Sequence, residues 1–268
     1  MDHKIKTGGN DPVHYWVKGI GNDCVVFTHG ATMDHGLFQD QIETFSGQYN
    51  VIVWDVPMHG RSRPYEGFTI ESAAKELIDI LDLEEVEKAH LVGQSMGGYI
   101  SQYVVRNHPK RVMSLTAVDS SPLQPSYYSA MDNWLLSITP PILRLYPYNS
   151  LINTIAKQIA IRVKSQTYAL ETLKKYSKSE IADIMGAVYR GVQEYQQEVV
   201  LPVPILIIYG DSDRIGKVQT YCRQWAEREK RPLQIIPNAS HNSNMDNPGE
   251  FNRILGEFLR IADQNKGE

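Results

Sequence analysis

The sequence predicts an α/β fold with a doubly wound, mostly parallel sheet and an inserted helical segment. Short apolar runs alternate with helical segments from residue 24 onwards, and three consecutive units of this kind favour parallel strands. The alternation stops between Pro122 and Pro202, a stretch far longer than an ordinary connection, and then resumes. A glycine-rich turn, Gly93-Gln94-Ser95-Met96-Gly97, lies within the first regular part.

Individual elements follow from local patterns. Val13 to Gly19 alternates in polarity, which predicts an outer antiparallel strand. Apolar runs predict strands covered on both faces at 24–28 and 51–55, and further strands are predicted at 89–92, 112–118, 204–209 and 233–236. Helices are predicted over 35–46, 69–81, 99–107, 217–230 and 248–262, with Thr69 and Ser72 as caps of the second.

The inserted segment, residues 122–202, is predicted to be a helical cap over the carboxyl edge of the sheet. Residues 1–121 and 203–268 then form the core domain. The segment holds eight of the fifteen tyrosines as well as Trp134. Most of these aromatic side chains are expected in the core of the cap, and a few should line a pocket.

Two helices of the cap can be predicted from sequence patterns. One is predicted from a single apolar face, formed by Ile152, Ile155, Ile159 and Val163. The other begins at a capping-box pattern, Ser177 with Glu180. It continues as a second apolar stripe, formed by Ile181, Ile184, Val188, Val192 and Tyr195.

Composition and charge limit the classes of function. The chain has 268 residues and a formal net charge of −4, without a Lys/Arg run, so neither a nucleic-acid nor a membrane partner is expected. It contains no transmembrane-length apolar run, and Met1 to Lys6 lacks the apolar core of a signal peptide, so a cytoplasmic location is expected. Cys24 and Cys222 are expected to be structural thiols rather than a disulfide.

The turn from Gly93 to Gly97 has the form G-x-S-x-G and lies between an apolar run and a helical segment. Such a turn lifts a serine out of a parallel sheet and exposes it at a helix N-terminus. We expect glycine at both ends because a Cβ there would strike the neighbouring backbone, and we expect strained φ/ψ angles at Ser95. Ser95 is therefore the candidate nucleophile.

A nucleophilic serine needs a base, and a base imidazole needs a partner that fixes its tautomer. In this architecture the chain order is serine, acid, histidine, and only His108 and His241 follow Ser95. His108 precedes a proline at a helix end, which favours a cap or a surface group. His241 lies among turn residues beyond the last strand and is the candidate base.

Three carboxylates at strand ends are candidates for the acid. Asp213 is favoured because its part of the loop can face His241. Asp211 directly follows Gly210 and is expected to help form the turn. Asp119 is a third candidate, although a turn residue before Ser120-Ser121-Pro122 is an adequate explanation.

These motifs together resemble the α/β-hydrolase family, in its cap-bearing serine hydrolase and esterase branch. The matching pieces are His29-Gly30-Ala31, Asp55 through Gly60-Arg61-Ser62, Gly93 to Gly97, Gly210-x-x-Asp213, and His241 with Asn247-Pro248. The resemblance implies Ser95 as nucleophile, His241 as general base and then acid, and Asp213 as the orienting carboxylate. It also implies an oxyanion hole from the backbone N–H groups of Ala31 and Met96. No cofactor and no metal are expected.

The sequence departs from the family pattern at two places. Thr32 stands where many relatives have proline, and Arg214 to Lys217 lacks the proline often found after the acid. The nucleophile is serine rather than aspartate, which argues against the dehalogenase and epoxide-hydrolase branches.

The expected function is hydrolysis of a small to medium carboxylic ester or lactone through an acyl-enzyme. Alternatives on the same fold are a C–C bond hydrolase of ring-fission products, a cofactor-free perhydrolase or lyase, and a receptor-like ligand-binding protein. A C–C hydrolase needs a cation near the substrate carboxylate, and the cap offers Arg144, Lys157, Arg162 and Arg190. The expected partner is a small ester-like molecule, and the chain is expected to be a monomer or a homodimer.

Overall fold

Eight strands form one sheet in the computed structural model, which describes residues 1–7 and 11–264. The strands are β1 Asp2–Lys6, β2 Val13–Lys18, β3 Cys24–Thr28, β4 Asn50–Trp54, β5 Ala89–Gln94, β6 Val112–Val118, β7 Ile205–Gly210 and β8 Leu233–Ile236. The helices are α1 Gln39–Phe45, α2 Ile70–Leu83, α3 Met96–Asn107, α4 Ala130–Leu143, α5 Tyr148–Ile159, α6 Val163–Leu173, α7 Lys178–Glu194, α8 Val218–Glu229, α9 Ser243–Asp246 and α10 Pro248–Gln264. This confirms the predicted α/β fold class.

Neighbouring strands follow the order β1-β2-β4-β3-β5-β6-β7-β8. β2 is antiparallel to both β1 and β4, whereas every neighbouring pair from β4 to β8 is parallel. The carboxyl ends of the parallel strands therefore meet at one edge of the sheet, where α/β proteins place their ligands.

Two apolar layers cover the sheet, one on each face. Along β3, Cys24 and Val26 belong to one layer, and Val25 and Phe27 belong to the other. Side chains of a strand point alternately to opposite faces, so a strand buried on both faces is apolar at every position. This explains the continuous apolar runs in the sequence.

Strand β1 was not predicted. Its first four residues are exposed, and only Lys6 is buried, so it lacks the apolar alternation that marks a strand. It forms because each of its residues pairs with β2, from Asp2 opposite Val17 to Lys6 opposite Val13. Long-range pairing of this kind is invisible to local pattern.

The two helices predicted between β6 and β7 are α5 and α7, and they agree with the sequence except at Val163; α4 and α6 were not predicted. Ser177 and Glu180 form the predicted capping box of α7, and the apolar stripe from Ile181 to Tyr195 is buried. The prediction that Val163 shares a helix with Ile159 was wrong, because α5 ends at Ile159 and Val163 is 79% exposed.

The chain leaves the helix there because its backbone bonds elsewhere. The carboxylate of Asp246 accepts the N–H groups of Ile161 and Arg162 at 2.9 and 3.0 Å. The carbonyl of Ile159 accepts the N–H of Asn242 at 2.7 Å.

Both cysteines are free and buried, which confirms that they are not a disulfide. Among the described residues, no helix combines the length and the apolar character needed to cross a bilayer.

Candidate active site

Ser95 occupies a sharp turn between β5 and α3. Its backbone angles are φ 51° and ψ −116°, in a region that non-glycine residues rarely adopt and that costs on the order of 1–3 kcal/mol. Its N–H donates to the carbonyl of Val118 at 2.8 Å, and its own carbonyl accepts the N–H of Gly98 at 2.9 Å and the hydroxyl of Ser120 at 2.8 Å. The predicted strain at Ser95 is confirmed, and neighbouring backbone bonds hold it.

The glycines on either side have the steric role that the sequence predicts. A Cβ at Gly93 would overlap the carbonyl oxygen of Gly97, and a Cβ at Gly97 would overlap the carbonyl oxygen of Thr28. Helix α3 can therefore begin this close to β5 and β3 only if Gly93 and Gly97 lack side chains.

The loop after β3 lies directly against the turn. A Cβ on Gly30 would overlap Oε1 of Gln94 and lie 3.2 Å from Cβ of Ser95. His29 is fully buried, and its Nε2 accepts the N–H of Val56 at 3.0 Å, so its Nδ1 carries the proton and donates to the carbonyl of Gly30 at 2.8 Å. Burial lowers the pKa of His29, which keeps this imidazole neutral.

The departure at Thr32, and the lack of proline at Ile215, have a backbone reason in this chain. Thr32 has φ 62°, which the proline ring cannot adopt. After the candidate acid, the N–H of Ile215 donates to Oδ1 of Asp213 at 2.8 Å, a bond that a proline at that position would remove.

His241 and Asp213 meet at the carboxyl edge of the sheet. Nδ1 of His241 lies 2.8 Å from Oδ2 of Asp213, and the two residues are only 6% and 5% exposed. Because the carboxylate can only accept, Nδ1 carries the proton and Nε2 is left to act on another group. The structure thus joins the candidate base to Asp213.

Asp211 and His108 lie where their structural explanations predict, in a turn and at a helix end. Asp211 is exposed, and its carboxylate accepts the N–H groups of Asn238 and Ala239, so it shapes a turn. His108 is exposed at the C-terminal end of α3.

Asp119 is more than a turn residue. It is fully buried, and its Oδ1 accepts the N–H of Gly210 at 2.8 Å. Its Oδ2 accepts the hydroxyl of Ser243 at 2.5 Å and the N–H of Ser243 at 3.3 Å. It therefore ties the end of β6 to the end of β7 and to the helix that follows His241. Burial and the neighbouring Asp213 carboxylate raise the pKa of Asp119 to about 8.

Asp119, Asp213 and His241 also form the only cluster among the described residues with the spacing of metal ligands, their donor atoms lying within 4.8 Å of one another. Both oxygens of Asp119 already accept hydrogen bonds, and His241 is bonded to Asp213. The cluster is therefore explained as a buried hydrogen-bond network.

The electrostatic surroundings set the basicity of His241. Burial disfavours the charged imidazolium and so lowers the pKa of His241. The negative charge of Asp213 and its hydrogen bond to His241 raise that pKa, and the charge of Asp119 raises it further. The net result is that the pKa of His241 lies above its ordinary value.

Sequence reasoning missed Gln94, which occupies a variable position of the G-x-S-x-G motif. Its Nε2 donates to the carbonyl of His241 at 2.7 Å, and Gln94 is only 1% exposed. The residue next to Ser95 thus holds the backbone of the candidate base. No local pattern marks such a contact, because it joins residues 147 positions apart.

Replacing Gly97 with alanine tests the steric basis of the turn. The added Cβ would meet a backbone carbonyl that cannot move aside, so Gly97→Ala should lower the thermal midpoint of unfolding strongly or prevent folding. Gly47→Ala is the matched control, because nothing lies within 4 Å of its added Cβ. Equal melting temperatures for the two variants would contradict the close approach of α3 to β3.

The chain is similar to known proteins over most of its length. A family model described as alpha/beta hydrolase fold matches residues 23–248. The chain is 24% identical over 245 residues to 3-oxoadipate enol-lactonase 1 of Acinetobacter baylyi, covering 88% of each sequence. It is also 24% identical over 274 residues to the 2-hydroxy-6-oxononadienedioate/2-hydroxy-6-oxononatrienedioate hydrolase of Burkholderia vietnamiensis, covering 96% of this chain and 93% of that protein.

Solved structures agree on the fold. The crystal structure of the enol-lactonase from Burkholderia xenovorans LB400 superposes with a TM-score of 0.78, covering 96% of this chain and 100% of that one at 18% identity. The family match spans most of the chain, and its relatives include enzymes that hydrolyse lactones. The chain belongs to the α/β-hydrolase family.

Proposed function

We propose that this protein is a serine hydrolase that cleaves a small to medium carboxylic ester or lactone, with Ser95, His241 and Asp213 as its catalytic triad. The observation that carries the proposal is the buried bond between His241 and Asp213, beside a strained turn that presents Ser95. The enol-lactonase name of a matched relative supports a lactone or ester as the substrate class.

Ser95 Oγ attacks the substrate carbonyl while Nε2 of His241 accepts its proton. His241 then donates that proton to the leaving alcohol, which leaves an acyl group on Ser95. In the second half, His241 takes a proton from water, the resulting hydroxide attacks the acyl carbonyl, and Ser95 leaves with its proton restored. Asp213 keeps the imidazole in the tautomer that makes Nε2 the base.

Two backbone amides would stabilise the oxyanion. Met96 is the first residue of α3, so its N–H has no acceptor within the helix and lies at the positive end of the helix dipole. Ala31 follows Gly30, where an added Cβ would lie 3.2 Å from Cβ of Ser95. Losing one such donor costs on the order of 3 kcal/mol of transition-state stabilisation.

Residues 122–202 would form a cap that covers this site. Tyr168 and Lys175 bond to Asp34 in the loop after β3, at 2.9 and 3.0 Å. The hydroxyl of Tyr176 accepts the N–H of Gly60 in the loop after β4, at 3.2 Å. These contacts fasten the inserted segment to loops at the carboxyl edge of the sheet, which supports its role as a cap. The cytoplasmic location stays a prediction from the sequence.

Labelling with a fluorophosphonate probe tests the nucleophile. The wild-type chain should be labelled, and Ser95→Ala should lose the label together with at least about a 1,000-fold loss of kcat on an ester substrate. Ser212→Ala is the control, because Ser212 is an exposed serine beside Asp213 and should keep full labelling. Undiminished labelling of Ser95→Ala would remove Ser95 from the mechanism.

The pH dependence of kcat/KM tests the base. His241 must be neutral to accept a proton, and its raised pKa means that it keeps its proton to a higher pH than a free histidine. Activity should therefore fall as the pH drops through a midpoint above 6.5, the ordinary value for histidine. A midpoint at or below the ordinary value would contradict the coupling of His241 to Asp213.

A C–C bond hydrolase is the second candidate, because the dienedioate hydrolase of Burkholderia vietnamiensis matches nearly the whole chain. Such chemistry would need a cation close to Ser95. The four cations that the sequence offered, Arg144, Lys157, Arg162 and Arg190, are all exposed, and Arg144 is paired with Asp183. Their positions favour ester hydrolysis.

A substrate panel separates the candidates, including a receptor-like protein that binds without turnover. The chain should hydrolyse short p-nitrophenyl esters and small lactones and leave ring-fission dienones intact. Preferential turnover of the dienones would assign the C–C hydrolase instead. Tight binding without turnover, unchanged in His241→Ala, would assign a receptor.

A further inference from the structure

Three hydroxyl groups form a hydrogen-bonded chain close to Ser95. The hydroxyl oxygen of Tyr99 lies 2.7 Å from Oγ of Ser121, which lies 2.9 Å from the hydroxyl oxygen of Tyr128. Tyr128 in turn donates to the carbonyl of Pro122 at 2.6 Å. The proposed ester hydrolysis uses none of these hydroxyls, so their arrangement needs another explanation.

The carbonyl at the end of this chain fixes the direction of each bond. A carbonyl oxygen only accepts, so the single hydrogen of the Tyr128 hydroxyl is used there. Ser121 must then donate to Tyr128, and Tyr99 must donate to Ser121. All three hydrogens are therefore used within the protein. The Tyr99 oxygen keeps a free lone pair, so it can accept a hydrogen bond from a ligand but has no hydrogen left to donate.

Tyr99 stands beside the candidate nucleophile. It belongs to the first turn of α3, four residues after Ser95. Residues four apart lie on the same face of a helix, and a long side chain leans back over the turn that precedes it. The ring of Tyr99 therefore leans towards Ser95. Its hydroxyl reaches the segment after β6, where Ser120 donates to the carbonyl of Ser95 at 2.8 Å.

Gln102 holds that segment in place. Its Nε2 donates to the carbonyl of Ser121 at 3.0 Å, and its Oε1 accepts the N–H of Leu123 at 3.0 Å. Gln102 is 2% exposed and belongs to the same helix as Tyr99. The hydroxyl chain thus begins on α3 and ends at a segment bonded to α3. The oxygen of Tyr99 is held in a fixed position, as a specificity contact requires.

The surroundings of the Tyr99 hydroxyl are enclosed and neutral. Tyr99 and Tyr128 are only partly exposed, and burial raises the pKa of both phenols. Within the described part of the chain, no Lys or Arg contributes to the pKa of Tyr99. A charged substrate group would lose its hydration here without gaining a counter-ion. A neutral hydroxyl or N–H group can enter, because Tyr99 accepts its hydrogen.

Tyr189 of α7 brings another phenol to the same place. It lines the groove between α4 and α7, and burial together with the nearby Tyr99 raises the pKa of its hydroxyl. This hydroxyl makes no hydrogen bond with any described residue. Buried polar groups normally have a partner, and a polar group of a substrate would supply one.

We infer that Tyr99 is a specificity residue, whose phenol oxygen accepts a hydrogen bond from a neutral hydroxyl or N–H group of the substrate. That group lies near the reacting carbonyl, since Tyr99 is one helical turn from Ser95. The inference rests on the proposed ester hydrolysis by Ser95 and adds which substrates are preferred.

Hydroxy esters and their methyl isosteres measure this preference. Methyl 3-hydroxybutyrate against methyl 3-methylbutyrate tests the acyl side of the ester, and 2-hydroxyethyl butyrate against propyl butyrate tests the alcohol side. In one pair the hydroxy ester should have a kcat/KM at least about tenfold higher, because its isostere leaves the Tyr99 oxygen without a partner. The methoxy analogue of that ester should react like the isostere, since an ether oxygen cannot donate.

Two variants assign the preference to Tyr99. Tyr99→Phe keeps the ring and removes the acceptor, so it should lower the ratio of kcat/KM between hydroxy ester and isostere by at least about fivefold. Intrinsic ester reactivity cancels when this ratio is compared between parent and variant. Tyr103→Phe is the matched control, because Tyr103 lies one turn further along α3 and its hydroxyl makes no hydrogen bond with any described residue. It should keep the parent's ratio, and circular dichroism should show that both variants fold.

The outcomes separate this inference from the proposed function. Equal kcat/KM within both pairs, or the same ratio in Tyr99→Phe as in the parent, would overturn the inference and leave ester hydrolysis standing. Equal preference for the hydroxy ester and its methoxy analogue would overturn it too, because the subsite would then be a donor. If Ser95→Ala hydrolyses the plain esters as well as the parent does, the proposed function fails first and the inference fails with it.

Discussion

Helix α3 begins so close to β3 that no side chain fits between them, and the geometry around Ser95 depends on this approach. Gly97 lies against the carbonyl of Thr28, and Gly30 lies against Gln94 and Ser95. The backbone of Ser95 is strained as a result, and its hydrogen bonds to Val118 and Gly98 keep it in this conformation. A loosely packed turn would leave the Ser95 hydroxyl without a fixed position, and catalysis by proximity requires the reacting atoms to be held in place.

A second set of buried bonds connects the loops that carry the other groups. Asp119 joins the end of β7 to Ser243, and Gln94 holds the carbonyl of His241. The loops after β5, β6, β7 and β8 are therefore linked through buried polar groups. Hydrogen bonds there are shielded from water, and a buried polar group without a partner would destabilise the fold. Such links place side chains from separate strands with the precision that a site on mobile loops would lack.

Local sequence was sufficient to predict the features that neighbouring residues specify. The strands buried on both faces, the capping box at Ser177 and the glycine turn were all readable, because each is specified by neighbouring residues. What depends on distant partners was not readable. Strand β1 forms by pairing with β2, α5 ends because Asp246 takes the next two amides, and Gln94 reaches a residue far along the chain. Helix α4 was not predicted at all.

A nucleophilic Ser95 becomes acylated during each turnover. Mass spectrometry of the intact chain, quenched while it hydrolyses a slow ester, measures this directly. An added acyl mass that peptide mapping assigns to Ser95, and that is absent from Ser95→Ala, is the predicted result. Steady turnover without any acylated chain, or an acyl group on another residue, would contradict it.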